Sequence, residues 1–249
     1  MLIKTVPAAT GALWLRDGWR LFARQPLGLS AMVVMYLMML FLPAMIPFIG
    51  IAISGVLAPF ATVALLAACR EVDAKRAPAV NLFVQPFQDE KVRTPMVQLG
   101  MVNAGLVLMV ALLGNLVGSP EPTKAPASLQ DIPLDALMVQ LVLYTPVLML
   151  MWFAPVLVGW HRLTPGKAMF GSVVACWRNK AALLVYSVVV ALVMMAASAV
   201  VVGVFSTLFS SQQALSLLLA PLGLILMTVV QASFYPMYRS VIGDNEPSR

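Results

Sequence analysis

Of 249 residues, 61% are hydrophobic and only 10% are charged, against about 45–50% and about 25% in a soluble globular domain. So few charges cannot cover so much apolar surface in water, which excludes a sizeable soluble domain and makes lipid the expected solvent. The formal charge of +6 lies at the ends of apolar runs, which points to an anionic membrane surface and not to nucleic acid.

Taken in chain order, residues 8–24 come first. Helical spacing sets Leu15, Trp19 and Phe22 on one face, with Arg16, Arg20 and Arg24 at i, i+4 on another. Aromatic and aliphatic residues opposite arginines predict an amphipathic helix lying in the headgroup plane. The opening Met1-Leu2-Ile3-Lys4 has no adjacent apolar region, so the first span is expected to act as an uncleaved signal anchor.

Spans are expected at 27–47 and 48–69. No charge interrupts Leu27 to Cys69, which is too long for one crossing at roughly 20 residues each. Leu42-Pro43, Ile46-Pro47 and Gly50 supply the breakers for a tight turn. A poorer interfacial helix follows at 81–91, with Phe83 and Phe87 four apart and Pro86 interrupting.

The third span is expected at 95–117 and contains Gln98, Asn103 and Asn115. Residues 118–133, rich in proline and small residues, read as an external loop. The fourth span, 134–160, carries Gln140 and Tyr144 and ends at Trp160-His161-Arg162. A third amphipathic helix is expected at 165–180, where Phe170, Val173, Val174 and Trp177 follow i, i+3, i+4, i+7, with Lys167 and Arg178 to the side. Spans at 181–206 and 214–238 complete the chain, the last with Gln231.

An even number of spans puts both termini on one side. With that side cytoplasmic, 15 of the 16 Lys and Arg residues lie inside and Lys124 alone lies outside, the bias that the positive-inside rule requires. The expectation is an all-α polytopic bundle of six spans in a bacterial inner membrane. Arg24-Gln25-Pro26, Arg93-Thr94-Pro95 and Arg178-Asn179-Lys180 each open an odd-numbered span. They suggest a threefold parallel repeat of an interfacial helix plus a helical hairpin.

Chemistry is sparse. The expected span centres hold no Asp, Glu, Lys, Arg or His, the usual markers of proton relays and ion sites. Cys69 and Cys176 fall at expected cytoplasmic ends, where a disulfide is not expected. With one histidine they make no metal-ligand set. His161, beside an interfacial tryptophan and an arginine, reads as a headgroup-level anchor at least as well as a catalytic base. No catalytic residue, metal or cofactor is therefore expected. The polar residues Asn103, Gln140 and Gln231 read as interhelical glue, or alternatively as a seam lining a transport path.

Two stretches carry a resemblance. Gly11-x-x-Trp14-Leu15-x-x-Gly18-Trp19-x-x-Phe22-x-x-x-Pro26 resembles the start of an uncharacterised family of bacterial, chiefly betaproteobacterial, inner-membrane proteins. Phe153-Ala154-Pro155-Val156, running to Trp177-Arg178-Asn179-Lys180, resembles that family's middle. More loosely, the plan is similar to the membrane domain of some glycerophosphodiester phosphodiesterases, whose catalytic domain has no counterpart here. The resemblance implies a multi-span membrane protein and supplies no functional residues.

The expected function is thus non-enzymatic: an envelope scaffold or accessory subunit engaging anionic lipid, a membrane-protein partner or a second copy of itself. Arg16, Trp19, Arg20, Arg24, Lys167, Trp177 and Arg178 are its candidate contacts. The alternative is a small permease for an uncharged or lipidic substrate. A lipid-modifying enzyme relying on His161 comes third.

Overall fold

The computed structural model describes residues 3–47, 49–116, 134–208 and 212–243. The expected external loop, with Lys124, lies outside them. Every regular element among the described residues is helical: α1 (Thr10–Arg24), α2 (Pro26–Ala44), α3 (Gly50–Asp73), α4 (Gln85–Gln88), α5 (Glu90–Leu116), α6 (Leu134–Met151), α7 (Ala154–Gly159), α8 (Pro165–Arg178), α9 (Lys180–Leu208) and α10 (Gln212–Val241). Among the described residues five helical stretches, Pro26–Ala44, Gly50–Asp73, Glu90–Gly114, Leu141–Gly159 and Lys180–Val200, are long and apolar enough to cross a membrane. The protein is a helical membrane bundle.

Local chemistry explains the breaks. Pro26 opens α2 at the first helical position, where its missing N–H costs nothing. Between Ala44 and Gly50 the chain turns on the expected breakers, and Gly50 packs so close to the Pro43 carbonyl that a side chain has no room there. The Ser54 hydroxyl then donates to the Leu40 carbonyl across this hairpin, 2.6 Å away.

Pro95 differs from expectation. α5 begins at Glu90, five residues earlier, because Asp89 caps it: the Asp89 carboxylate accepts the Lys91 N–H at 3.0 Å. A carboxylate at this position satisfies an orphan donor and favours the positive end of the helix dipole. Nor is 81–91 one helix. It is a 3₁₀ turn, Val80–Phe83, followed by α4, since Pro86 cannot supply an interior N–H. Its aromatic residues turn inward: Phe83 is buried and Phe87 stacks on Phe60 with ring centres 4.1 Å apart.

The expected span 134–160 is interrupted at Trp152–Phe153, between α6 and α7. Pro155 sits at the start of α7 and cannot donate to the Met151 carbonyl. The buried Ser172 of α8 repairs the break. Its hydroxyl accepts the Phe153 N–H at 3.0 Å and donates to the Met149 carbonyl at 2.7 Å.

The chain forms two compact units, one from Met1–Leu37, Val63–Gln85 and Val174–Arg249, the other from Met38–Thr62 and Pro86–Val173. In the second, α3 and α5 meet at small residues: Gly55 lies against Ala104 and Gly100 against the Val56 backbone. In the first, α1 packs on α9 and α10. Gly11 faces Ala182 and Tyr186 on α9, and Gly18 faces Val229 and Ser233 on α10. Such close approach at glycine is how membrane helices gain dispersion contacts when lipid removes the hydrophobic drive.

Candidate functional site

The buried stripe of α1 is Gly11, Trp14, Leu15, Gly18, Leu21 and Phe22, an i, i+3, i+4, i+7 pattern centred on the two glycines. Trp14 is 1% exposed. Its indole N–H donates to the Ser240 hydroxyl at 2.8 Å, and its ring meets Tyr186 edge-on, centroids 6.1 Å apart. The Tyr186 and Ser233 hydroxyls are hydrogen-bonded at 2.6 Å, so the polar atoms of this contact are satisfied internally.

This docking changes which face is free. Leu15 and Phe22 are buried but Trp19 is 52% exposed. Trp19 therefore shares the outward face with Arg16 and Arg20, at i, i+3, i+4, instead of opposing them. Asp17 tempers that face: its carboxylate lies 3.7 Å from Arg16 and accepts a hydrogen bond from Arg20 at 3.1 Å. Arg24 is engaged elsewhere. Asp73, at the end of α3, takes Arg24 on one oxygen at 2.9 Å and Arg239 of α10 on the other at 2.8 Å.

Beside this face runs an apolar groove of about 360 Å³ between α1, α9 and α10. Leu15, Arg16, Trp19, Val193, Leu226 and Val230 are among the residues lining it.

On α8, Lys167 is exposed, and Phe170 and Trp177 are 72% and 63% exposed. The Lys180 ammonium sits 4.7 Å above the Trp177 ring, a cation–π contact. Arg178 donates to the Thr5 hydroxyl at 3.1 Å, which ties it to the amino-terminal segment.

The amides have separate surroundings. Asn103 donates to the Gly55 carbonyl at 2.9 Å, joining α5 to α3. Gln231 is half-buried on α10, and Gln98 is exposed. Gln140 is on α6, and its side chain lies outside the described residues, as does that of Asn115. His161 occupies the turn after α7, half-buried. Cys69 and Cys176 are buried and form no disulfide. Among the described residues no cluster of three His, Cys, Asp or Glu could hold a metal ion.

A probable inner membrane protein of Burkholderia thailandensis is 32% identical to this chain, over 99% of this chain and 96% of the relative. The chain belongs to its family. No family model matches the chain, and no solved structure matches it.

The residues that carry the family resemblance are mostly packing residues in this fold. Gly11, Trp14, Gly18 and Phe22 form the docked stripe of α1, and Phe153 meets Ser172 at the helix break. Asn179, 1% exposed, accepts the Val6 N–H at 2.9 Å and donates to the carbonyls of Lys4 at 3.0 Å and Ala175 at 2.9 Å. It fastens the start of the chain to the α8–α9 corner. Ser172, Asn179, Asp73 and Asp89 carry no local pattern that marks them in advance. The two acids stand out only as rare negatives within basic segments.

Proposed function

We propose that this protein is a non-enzymatic inner-membrane scaffold or accessory subunit, with six spans and both termini cytoplasmic, that engages anionic lipid headgroups. The observation that carries this reading is the outward face of α1, where Trp19 stands between Arg16 and Arg20 while the opposite face is locked into the bundle. Indole with flanking guanidinium groups suits the headgroup layer, where aromatic rings and basic side chains find both apolar and anionic neighbours. The exposed Phe170 and Trp177 of α8 add a second aromatic contact of the same character.

Helix length supports the placement. The 29 residues of α9 and 30 of α10 span about 43–45 Å at 1.5 Å per residue, beyond the roughly 30 Å of hydrocarbon. The surplus of about 13–15 Å is shared between the two headgroup layers. α1 covers α9 at Ala182 and Tyr186 and α10 at Ser233 and Ser240, the ends that carry Lys180 and Arg239. Those ends project into the cytoplasmic headgroup layer, with α1 lying along them.

The test is retention of anionic lipid by protein released in nanodiscs of mixed phosphatidylglycerol and phosphatidylethanolamine. The double substitution Arg16→Gln, Arg20→Gln lowers anionic enrichment by about 1 kcal/mol per removed charge without changing the unfolding temperature. Unchanged enrichment overturns the reading.

A further inference from the structure

We propose that the groove between α1, α9 and α10 seats one acyl chain of an anionic phospholipid, whose headgroup phosphate is held at Arg16. The proposal rests on the lipid reading above and names a discrete site within it.

Three observations commit the groove to this occupant. First, its lining is apolar apart from Arg16 and the Trp19 ring: Leu15 from α1, Val193 from α9, Leu226 and Val230 from α10. A polar solute finds nothing there to replace its water, whereas an acyl chain loses none. Second, the volume of about 360 Å³ lies in the range of about 300–1,000 Å³ typical of ligand sites. Third, the charge is placed at one side only. Arg16 lines the groove, Arg20 lies one turn further along the exposed face, and the single carboxylate beside them, Asp17, is shared between both. Two guanidinium groups against one carboxylate leave a net positive rim.

The depth agrees with this arrangement. Val190 and Met194 line the groove ten and fourteen residues into α9 from Lys180, about 15–21 Å along the helix. Both lie within the apolar stretch Lys180–Val200, so the groove opens on the hydrocarbon side. Arginine is suited to the mouth of such a groove, since its stem lies along apolar surface while its planar fork binds phosphate.

The experiment is native mass spectrometry of the full chain released from nanodiscs of phosphatidylglycerol and phosphatidylethanolamine. The wild type retains one phosphatidylglycerol per chain. Val193→Trp and Ala12→Leu fill the groove from different helices at exposed positions, so neither disturbs buried packing, and each abolishes retention of either lipid. Arg16→Gln keeps a retained lipid but lowers the preference for phosphatidylglycerol about fivefold, the effect of one basic charge at a membrane surface. Phosphatidylglycerol persisting in both groove-filled variants overturns the site and leaves the surface reading standing. A wild type that retains no anionic lipid overturns both.

Discussion

The Ser172 hydroxyl occupies the place of a single helical hydrogen bond, between the Phe153 N–H and the carbonyl four residues earlier, at Met149. A side chain inserted into the i to i−4 ladder is a recognised origin of a helix kink, and here it stands two residues before Pro155. Ser172→Ala removes the acceptor of the buried Phe153 N–H. The expected cost is about 1–3 kcal/mol, seen as a lower unfolding temperature of the detergent-solubilised protein. Ser172→Thr, which keeps the hydroxyl, recovers part of it. An alanine variant as stable as wild type means that α6 and α7 close the gap by themselves.

Docking of α1 depends on the absence of a side chain at Gly18. A Cβ there would lie 2.7 Å from the Val229 carbonyl and 2.8 Å from Ser233, and backbone atoms cannot swing aside. Gly18→Ala is expected to cost about 1–3 kcal/mol as overpacking. It also loosens α1, so trypsin cleavage at Arg16 and Arg20 accelerates. Ala12→Ser, at an exposed position of the same helix, leaves cleavage unchanged.

How much of this was legible in the sequence follows from range. Apolar runs mark most membrane helices because hydropathy is local and additive over about 20 residues, and Pro43, Pro47 and Gly50 mark the first hairpin for the same reason. The buried face of α1 is harder. Two stripes overlap on one helix, and the correct one runs through Gly11 and Gly18, which carry almost no hydropathy signal. Trp19 is accordingly misassigned, because a tryptophan weighs heavily in any apolar face. Asp89 overrides Pro95 as the start of α5, since a side-chain cap outweighs the fit of a proline at the first turn. Asn179 meets Val6 across 173 positions, a pairing no local window contains. For the candidate site, Arg16 and Arg20 stand out as basic residues near an aromatic one. The commitment of Arg24 to Asp73 requires α1, α3 and α10 to be assembled first.

Asn179 offers a sharp test of the chain's opening segment. Its amide group points two donors at carbonyl oxygens, from Lys4 and Ala175. Asn179→Asp replaces those donors with an acceptor and puts oxygen against oxygen in a buried place. Each unsatisfied group costs about 1–3 kcal/mol, so the amino-terminal segment is expected to detach. Hydrogen exchange at Lys4 and Val6 then rises at least tenfold, while Arg178→Ala, which removes only an exposed bond to Thr5, changes it little.

Asp73 leads to a prediction of the opposite sign. It holds Arg24 and Arg239 together on an exposed surface, where ion pairs contribute about 0–1 kcal/mol each. Asp73→Asn therefore lowers stability only slightly. It also releases Arg24, at the end of α1, from its carboxylate partner and raises the local charge by one. Enrichment of phosphatidylglycerol around the protein in mixed nanodiscs is expected to rise about fivefold at low salt. The gain should fade as added salt shortens the screening length. If the variant instead loses phosphatidylglycerol enrichment and unfolds early, Asp73 serves chiefly to brace α1, α3 and α10, and the basic end of the bundle depends on it for shape more than for charge.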